Sequence, residues 1–185
     1  MRIIAGTFRS RQLKSLKKLA IRPTSDMLRE TLFNILGPRV EGSRFLDLFA
    51  GTGAVGIEAL SRSAEAVVWV EKHGAAARLI GENLAQLEIQ EGARVIAADV
   101  LTAIGKLEAE CCDAFDFVFL DPPYASEQDY LATLRALEKS SLVGQGTVLI
   151  AEHRKSFSLP AAVGRLHQYR NLRQGDAALS FYSLQ

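Results

Sequence analysis

Residues 45–56 read FLDLFAGTGAVG. The run 45–49 is apolar apart from Asp47, as expected of a strand buried on both faces. Glycines follow in the spacing Gly51-x-Gly53-x-x-Gly56, and residues 53–61 read as a helix. A strand, a glycine loop and a helix in that order bring backbone close to a ligand. Glu71 stands twenty residues past Gly51, so the stretch matches the dinucleotide fingerprint. Asp47 argues for another ligand. It lies four residues before the first glycine, at the mouth of the loop, where a carboxylate repels a pyrophosphate. S-adenosylmethionine has no phosphate and carries an ammonium and a sulfonium, so a nearby carboxylate suits it. The plainer reading of Asp47 is a cap on the loop.

Outward from this loop, strand and helix alternate. Thr24 or Ser25 can cap a helix running to Leu36, ended by Gly37-Pro38. Further strands are expected at 66–71, 94–98, 115–120 and 147–152, with helices at 74–87, 101–107 and 127–140, the last after a Ser126 cap. Strands 165–173 and 177–184 flank Gly175-Asp176 and read as a terminal antiparallel hairpin. The expected fold is α/β, a seven-stranded, mainly parallel sheet of Rossmann-like character with that hairpin at its end.

Strand 115–120 runs into Asp121-Pro122-Pro123-Tyr124. Two prolines lack the N–H groups that continue a ladder. They hold the chain extended and leave carbonyls without ladder partners. The Asp121 carboxylate and the Pro122 carbonyl can then accept both hydrogens of one exocyclic amino group, while Tyr124 offers a ring for a base to stack on. Two acceptors favour the pyramidal amine, whose lone pair can attack a methyl donor. The bland reading is a proline-stiffened turn. In such a sheet, ligands bind beyond the carboxyl ends of the strands, where Asp47, Glu71, Asp99, Asp121 and Glu152 all fall. Glu71 can accept from two ribose hydroxyls. Asp99 can accept from an adenine amino group, cap the following helix, or do both. Glu152 and His153 read as contacts to the base or the arm, or as a plain surface pair.

The net charge of +1 conceals a split. Residues 1–25 hold Arg2, Arg9, Arg11, Lys14, Lys17, Lys18 and Arg22 and no acid, whereas the other 160 residues hold fifteen basic and twenty-one acidic ones. A basic arm on an acidic body points to nucleic acid held at one end. Apolar residues alternate through the arm, which suits a small hairpin. The chain divides into this arm, 1–23, and an α/β body, 24–185, and the body is expected to fold without residues 1–20.

With 185 residues and 48% hydrophobic content the chain suits one soluble domain. No apolar run approaches a membrane span, and the start lacks a secretory h-region. Cys111 and Cys112 are adjacent and accompany no Cys/His cluster, so free thiols, no metal and a cytoplasmic location are expected.

Taken together, RIIAGTFRSRQL, RPTSDMLRETLFNIL, DLFAGTGAVGIEALSRSA, VVWVEK, DPPY and the closing hairpin resemble the bacterial 16S ribosomal RNA guanine-N2 methyltransferase family over nearly the whole chain. Ala5 and Ser10 stand where that family's pattern has glycine. The resemblance implies a class I methyltransferase fold with S-adenosylmethionine as cofactor. It implies methyl transfer to N2 of one guanine in 16S rRNA. The small size and single arm suggest few contacts to RNA, so an assembled or partly assembled small subunit is the expected substrate, met by a monomer. By position, Asp121, Pro122, Pro123 and Tyr124 match the amino-group site, and Asp47, Gly51, Gly53, Glu71 and Asp99 the cofactor site. Arg22, Pro23 and Thr24 match the segment near the methionine end. Arg2, Arg9, Arg11, Lys14 and Arg22 are the expected RNA contacts.

The residue patterns alone leave rivals. Adenine-N6 and cytosine-N4 methyltransferases would use the same DPPY motif. An NAD-dependent oxidoreductase is disfavoured by Asp47. A non-catalytic RNA-binding or ribosome-assembly protein would not need both motifs intact.

Overall fold

The computed structural model describes residues 1–15, 24–110, 112–123 and 127–185. The inner strands are apolar throughout because both faces of the sheet are covered. β1 (Arg44–Leu48), β2 (Ala66–Val70), β3 (Ala93–Ile96), β4 (Phe115–Leu120) and β5 (Val143–Arg154) run parallel. β6 (Ala162–Val163), β7 (Leu166–Gln174) and β8 (Ala177–Leu184) add antiparallel pairings, giving the order β3-β2-β1-β4-β5-β8-β7-β6. The sheet thus has eight strands rather than seven. The extra one, β6, is two residues long, too short to show any period in sequence.

Helices lie on both faces. On one, α1 (Asp26–Leu36), α2 (Ala54–Ser61) and α3 (Gly74–Gln86) pack with Phe45, Trp69, Phe117, Ile150 and Phe181. On the other, α4 (Val100–Ala109) and α5 (Glu127–Glu138) pack with Leu46, Val70, Val118, Leu149 and Tyr182. Ser25 caps α1 by accepting from the Leu28 N–H, and Gly37 ends it with φ 59°. α4 begins at Val100 because Asp99 is its cap. The Ser126 cap expected for α5 lies outside the described residues. β5 starts four residues before the expected Thr147. There the ladder is irregular, and the Thr147 hydroxyl bridges the Gly144 N–H and the Phe115 carbonyl.

The first residues form a hairpin, joined at Arg2 and Gln12 and closed by Ile3–Arg11 and Leu13–Met1 backbone bonds. Ser10 has φ 68°, the left-handed region that favours the glycine of the family pattern. The hairpin is seated in the body. Ile3 and Leu13 belong to the core. The fully buried Glu58 carboxylate accepts the N–H groups of Ile4 and Ala5 at 2.8 and 3.0 Å. Beside it run the Arg62 and Arg29 guanidinium groups, at 2.9 and 3.6 Å. The hairpin therefore packs as part of the body's core, through contacts that a division at residue 23 does not anticipate. Sequence patterning showed the hairpin's own alternation but not the partner that covers it.

Candidate active site

The chain leaves β1 toward β2 and β3 on one side and returns to β4 on the other, so β1 and β4 border a topological switch point. A cavity of about 540 Å3 opens there, beyond the strands' carboxyl ends. It gathers Asp47 and the loop Phe49–Thr52 from β1, Glu71, Lys72 and His73 from β2, and Asp99 from β3. Asp121, Pro122 and Pro123 come from β4, Arg154 from β5, and Thr24 from just before α1. Of the expected cofactor and amino-group residues, Thr24, Asp47, Gly51, Glu71, Asp99, Asp121, Pro122 and Pro123 all line this one cavity. Gly53 is the cap of α2 immediately behind it, with φ 76°. Tyr124, Arg22 and Pro23 lie outside the described residues.

The glycine loop is held by carboxylates. Glu71 accepts the Gly51 N–H at 2.8 Å with one oxygen and the His73 N–H at 2.7 Å with the other. Asp47 accepts the Gly56 N–H at 3.0 Å. The Gly53 N–H goes to the Ala50 carbonyl, and the Gly53 carbonyl accepts from the Trp69 indole at 3.1 Å. Phe49 carries φ 61°, a strained value for a bulky residue at the exit of β1.

These bonds test which ligand fits. A pyrophosphate needs unspent N–H groups at a helix amino end. Here those of Gly51, Gly53 and Gly56 are already taken, two of them by acids. A cationic, phosphate-free ligand fits the acidic lining, and a carboxylate with one N–H partner per oxygen keeps lone pairs for ligand hydroxyls. Burial pushes the Asp47 carboxyl well above its usual range. The Gly56 N–H partly offsets this, and the Glu71 charge adds to it. Asp99 is exposed, and the Thr102 hydroxyl and N–H hold its carboxyl below the usual range.

On the β4 side, Tyr130 of α5 is buried with its hydroxyl 2.7 Å from the Glu152 carbonyl and 3.5 Å from that of Pro122. A hydroxyl has one hydrogen, and the shorter contact takes it. Glu152 and His153 are not a surface pair: they are 3% and 1% exposed. Glu152 accepts from the Thr24 hydroxyl at 2.8 Å, joining the start of α1 to β5 beside the cavity. His153 lies between the Ser180 hydroxyl and the Arg154 carbonyl, and burial lowers its pKa. Sequence reasoning passed over Asp129, Thr133 and Arg154 as cavity residues. Arg154 could have been found, since it follows a strand's carboxyl end as the acids do.

None of Arg2, Arg9, Arg11 and Lys14 lines the cavity. The hairpin's tip lies against Ser61 at the carboxyl end of α2, roughly 12 Å from the cavity end of that eight-residue helix. Among the described residues no cluster of three or more His, Cys, Asp or Glu is placed to hold a metal. Cys112 is a free thiol, and Cys111 lies outside the described residues. Among the described residues no helix is long and apolar enough to cross a membrane.

Known proteins resemble this chain in sequence and fold. "Putative rRNA methyltransferase YlbH" of Bacillus subtilis is 37% identical over 185 residues, covering 98% of each chain. "Ribosomal RNA small subunit methyltransferase D" of Escherichia coli K12 is 32% identical over 183 residues, covering 98% of this chain and 89% of that one. The solved structure of "Putative methyltransferase yhhF" from Escherichia coli superposes with a TM-score of 0.85 at 32% identity, over 100% of this chain and 98% of the other. The family model described as "Conserved hypothetical protein 95" matches residues 1–183, and the chain belongs to that family, which it shares with the small-subunit rRNA methyltransferases D.

Proposed function

We propose that this chain transfers a methyl group from S-adenosylmethionine to the exocyclic N2 of a guanine in 16S rRNA. The observation that carries the reading is one cavity shared by two motifs. The acid-held glycine loop of β1 and the Asp121-Pro122 acceptors of β4 face it from either side of the switch point. Kinship with small-subunit rRNA methyltransferases supports rRNA as the substrate.

When bound, S-adenosylmethionine supplies an electrophilic methyl on a sulfonium that loses its charge in the transfer. Thr24, Asp47, Gly51, Gly53, Glu71 and Asp99 hold it, the acids on its cationic and hydroxyl groups. Asp121 and the Pro122 carbonyl accept the hydrogens of the guanine amino group, and Pro123 keeps that carbonyl turned out of the ladder. Tyr124 stacks on the unstacked base. Alignment of the nitrogen with the methyl carbon supplies most of the acceleration, and no strong base is needed. Asp121, as an acceptor for that amino group, can take the proton that leaves it. Arg2, Arg9, Arg11 and Lys14, none of which lines the cavity, contact rRNA together with Arg22. The substrate is a small-subunit particle, met by one copy of the chain in the cytoplasm.

The test is mass mapping of modified nucleosides in 16S rRNA incubated with and without the chain and S-adenosylmethionine. One new N2-methylguanosine is expected. A methylated adenine or cytosine would keep the chemistry and overturn the base. No new methylated nucleoside on rRNA or small subunits would overturn the function.

A further inference from the structure

The cavity is lined by acids, whereas the proposed substrate is a polyanion. Asp99, Asp121 and Asp129 repel the phosphates on either side of a base brought there, unless cations hold those phosphates outside. The hairpin's tip is at the far end of α2. By contrast, the carboxyl end of β5 reaches the cavity, and the β7–β8 turn is in register with it. Residues 153–185 hold five Lys and Arg and one acid, Asp176, while residues 26–152 hold ten and twenty.

Arg154 ends β5 and lines the cavity wall. Through β8 its neighbour His153 is in register with Arg173 of β7. Arg173 is therefore level with the cavity, two strand spacings or roughly 10 Å away. Farther down β7 come Arg170, exposed, and Tyr169, 52% exposed. β6 and Ala161 cover Leu166, His167 and Gln168, so the rest of β7 has an open outer edge among the described residues. Lys155 and Arg165 are spent on Asp176 and Glu138. Among the described residues Arg170 and Arg173 pair with no carboxylate, and Arg170 lies over the Phe181 ring. Charge on an edge strand discourages sheet pairing, but either sign would serve that end. One sign, on a body otherwise acidic and beside an acidic cavity, selects a polyanion.

We infer that the open edge of β7 is a track for single-stranded RNA leading out of the cavity. Arg173 and Arg170 hold phosphates along it, and Tyr169 stacks on an unpaired base. This inference rests on the rRNA methyl transfer proposed above and names the surface that presents the substrate.

The experiment uses the full chain with Arg170→Glu and Arg173→Glu together, and Tyr169→Ala separately. The probes are naked 16S rRNA and isolated small subunits across a salt series. For the double variant, RNA affinity at low salt should fall at least about tenfold, and the log–log salt slope should shrink by about 1.4, for two contacts on a single strand. The KM for RNA should rise while kcat at saturating RNA and S-adenosylmethionine affinity hold, the latter showing that the fold is intact. Tyr169→Ala should weaken RNA binding several-fold with the slope unchanged. An unchanged slope and RNA KM in the double variant overturns the track. Loss of binding to subunits alone, with naked RNA bound normally, assigns the surface to a protein partner and overturns it too. A wild-type chain whose RNA binding depends on these arginines but which methylates no rRNA would sink the functional reading and leave the track standing.

Discussion

Asp47 is 2% exposed and sits beside the Glu71 carboxylate, so its charge is held at a cost. Its folded-state pKa is raised, chiefly by burial. The associated stability is therefore full below the unfolded-state pKa and is lost as pH rises through the raised value. Above that value the ionised form works against the fold. Asp47→Asn keeps an acceptor for the Gly56 N–H and removes the charge. It should melt above wild type at neutral pH, with the gap closing as the medium becomes acidic. Melting curves across pH check this, and coincident curves would end the account. The same variant should bind S-adenosylmethionine tenfold or more weakly, on the order of 1.5–3 kcal/mol for one charge-assisted contact. Asp121 should behave oppositely: Asp121→Ala is expected to lose most methyl transfer while cofactor affinity stays close to wild type, because its partner is the base. Single-turnover kinetics with calorimetry separate the two, and near-normal turnover in Asp121→Ala would remove the amino-group role. Tyr130→Phe keeps the ring that packs near Phe157 but drops the hydroxyl that donates to the Glu152 carbonyl of β5 and lies 3.5 Å from that of Pro122. It should lower kcat with the cofactor affinity unchanged, and unaltered kcat would show the hydroxyl to be structural only.

Between elements, the glycine loop depends on β2 as much as on its own helix. A Cβ on Gly56 would stand 2.3 Å from the Trp69 indole nitrogen, the group that donates to the Gly53 carbonyl. Gly56→Ala should therefore destabilise the protein by about 1–3 kcal/mol through overpacking and weaken cofactor binding. Trp69 is the only tryptophan, so its emission reports both effects directly. Wild-type melting and emission in Gly56→Ala would mean that loop and strand are not coupled this way. The contact also shows what sequence can reveal. The loop, its acids and the DPP turn were legible because each sits within a few residues of a buried strand's end. The cap of α1 and the terminal hairpin were legible from local turn chemistry. The early start of β5 was hidden by Gly144 and Gly146, where the ladder is irregular and the Thr147 hydroxyl bridges the Gly144 N–H to the Phe115 carbonyl. The Thr24–Glu152 bond spans 128 residues, and no local pattern could announce it. Glu152 looked like a surface acid because its partner lies at the other end of the chain.

At the scale of the whole molecule, the amino-terminal hairpin closes the face formed by α2 and α3. Its basic composition marked it as an arm, yet its backbone is what the body uses. The Lys14 N–H and carbonyl meet the buried Asn83 side chain, whose amide also reaches the Thr52 carbonyl at the cavity floor. The hairpin thus supports both the core and the loop around the site. Deleting residues 1–15 exposes the surfaces that Ile3 and Leu13 cover, at about 1.5–3 kcal/mol for each side chain. It also strips two N–H groups from the buried Glu58 carboxylate, at about 1.5–3 kcal/mol for each charged hydrogen bond. Together these losses rival the whole stability of a typical domain, about 5–15 kcal/mol. The truncated chain is expected to be insoluble, or to melt without cooperativity and fail to bind S-adenosylmethionine, so it cannot report on RNA contact. Arg9→Glu with Arg11→Glu is the cleaner probe of the tip, since both side chains are exposed and the hairpin's core contacts remain. Circular dichroism melting and calorimetric titration of the truncated chain give the answer. A cooperative melt near wild type, with intact cofactor binding, would make the hairpin an accessory arm after all.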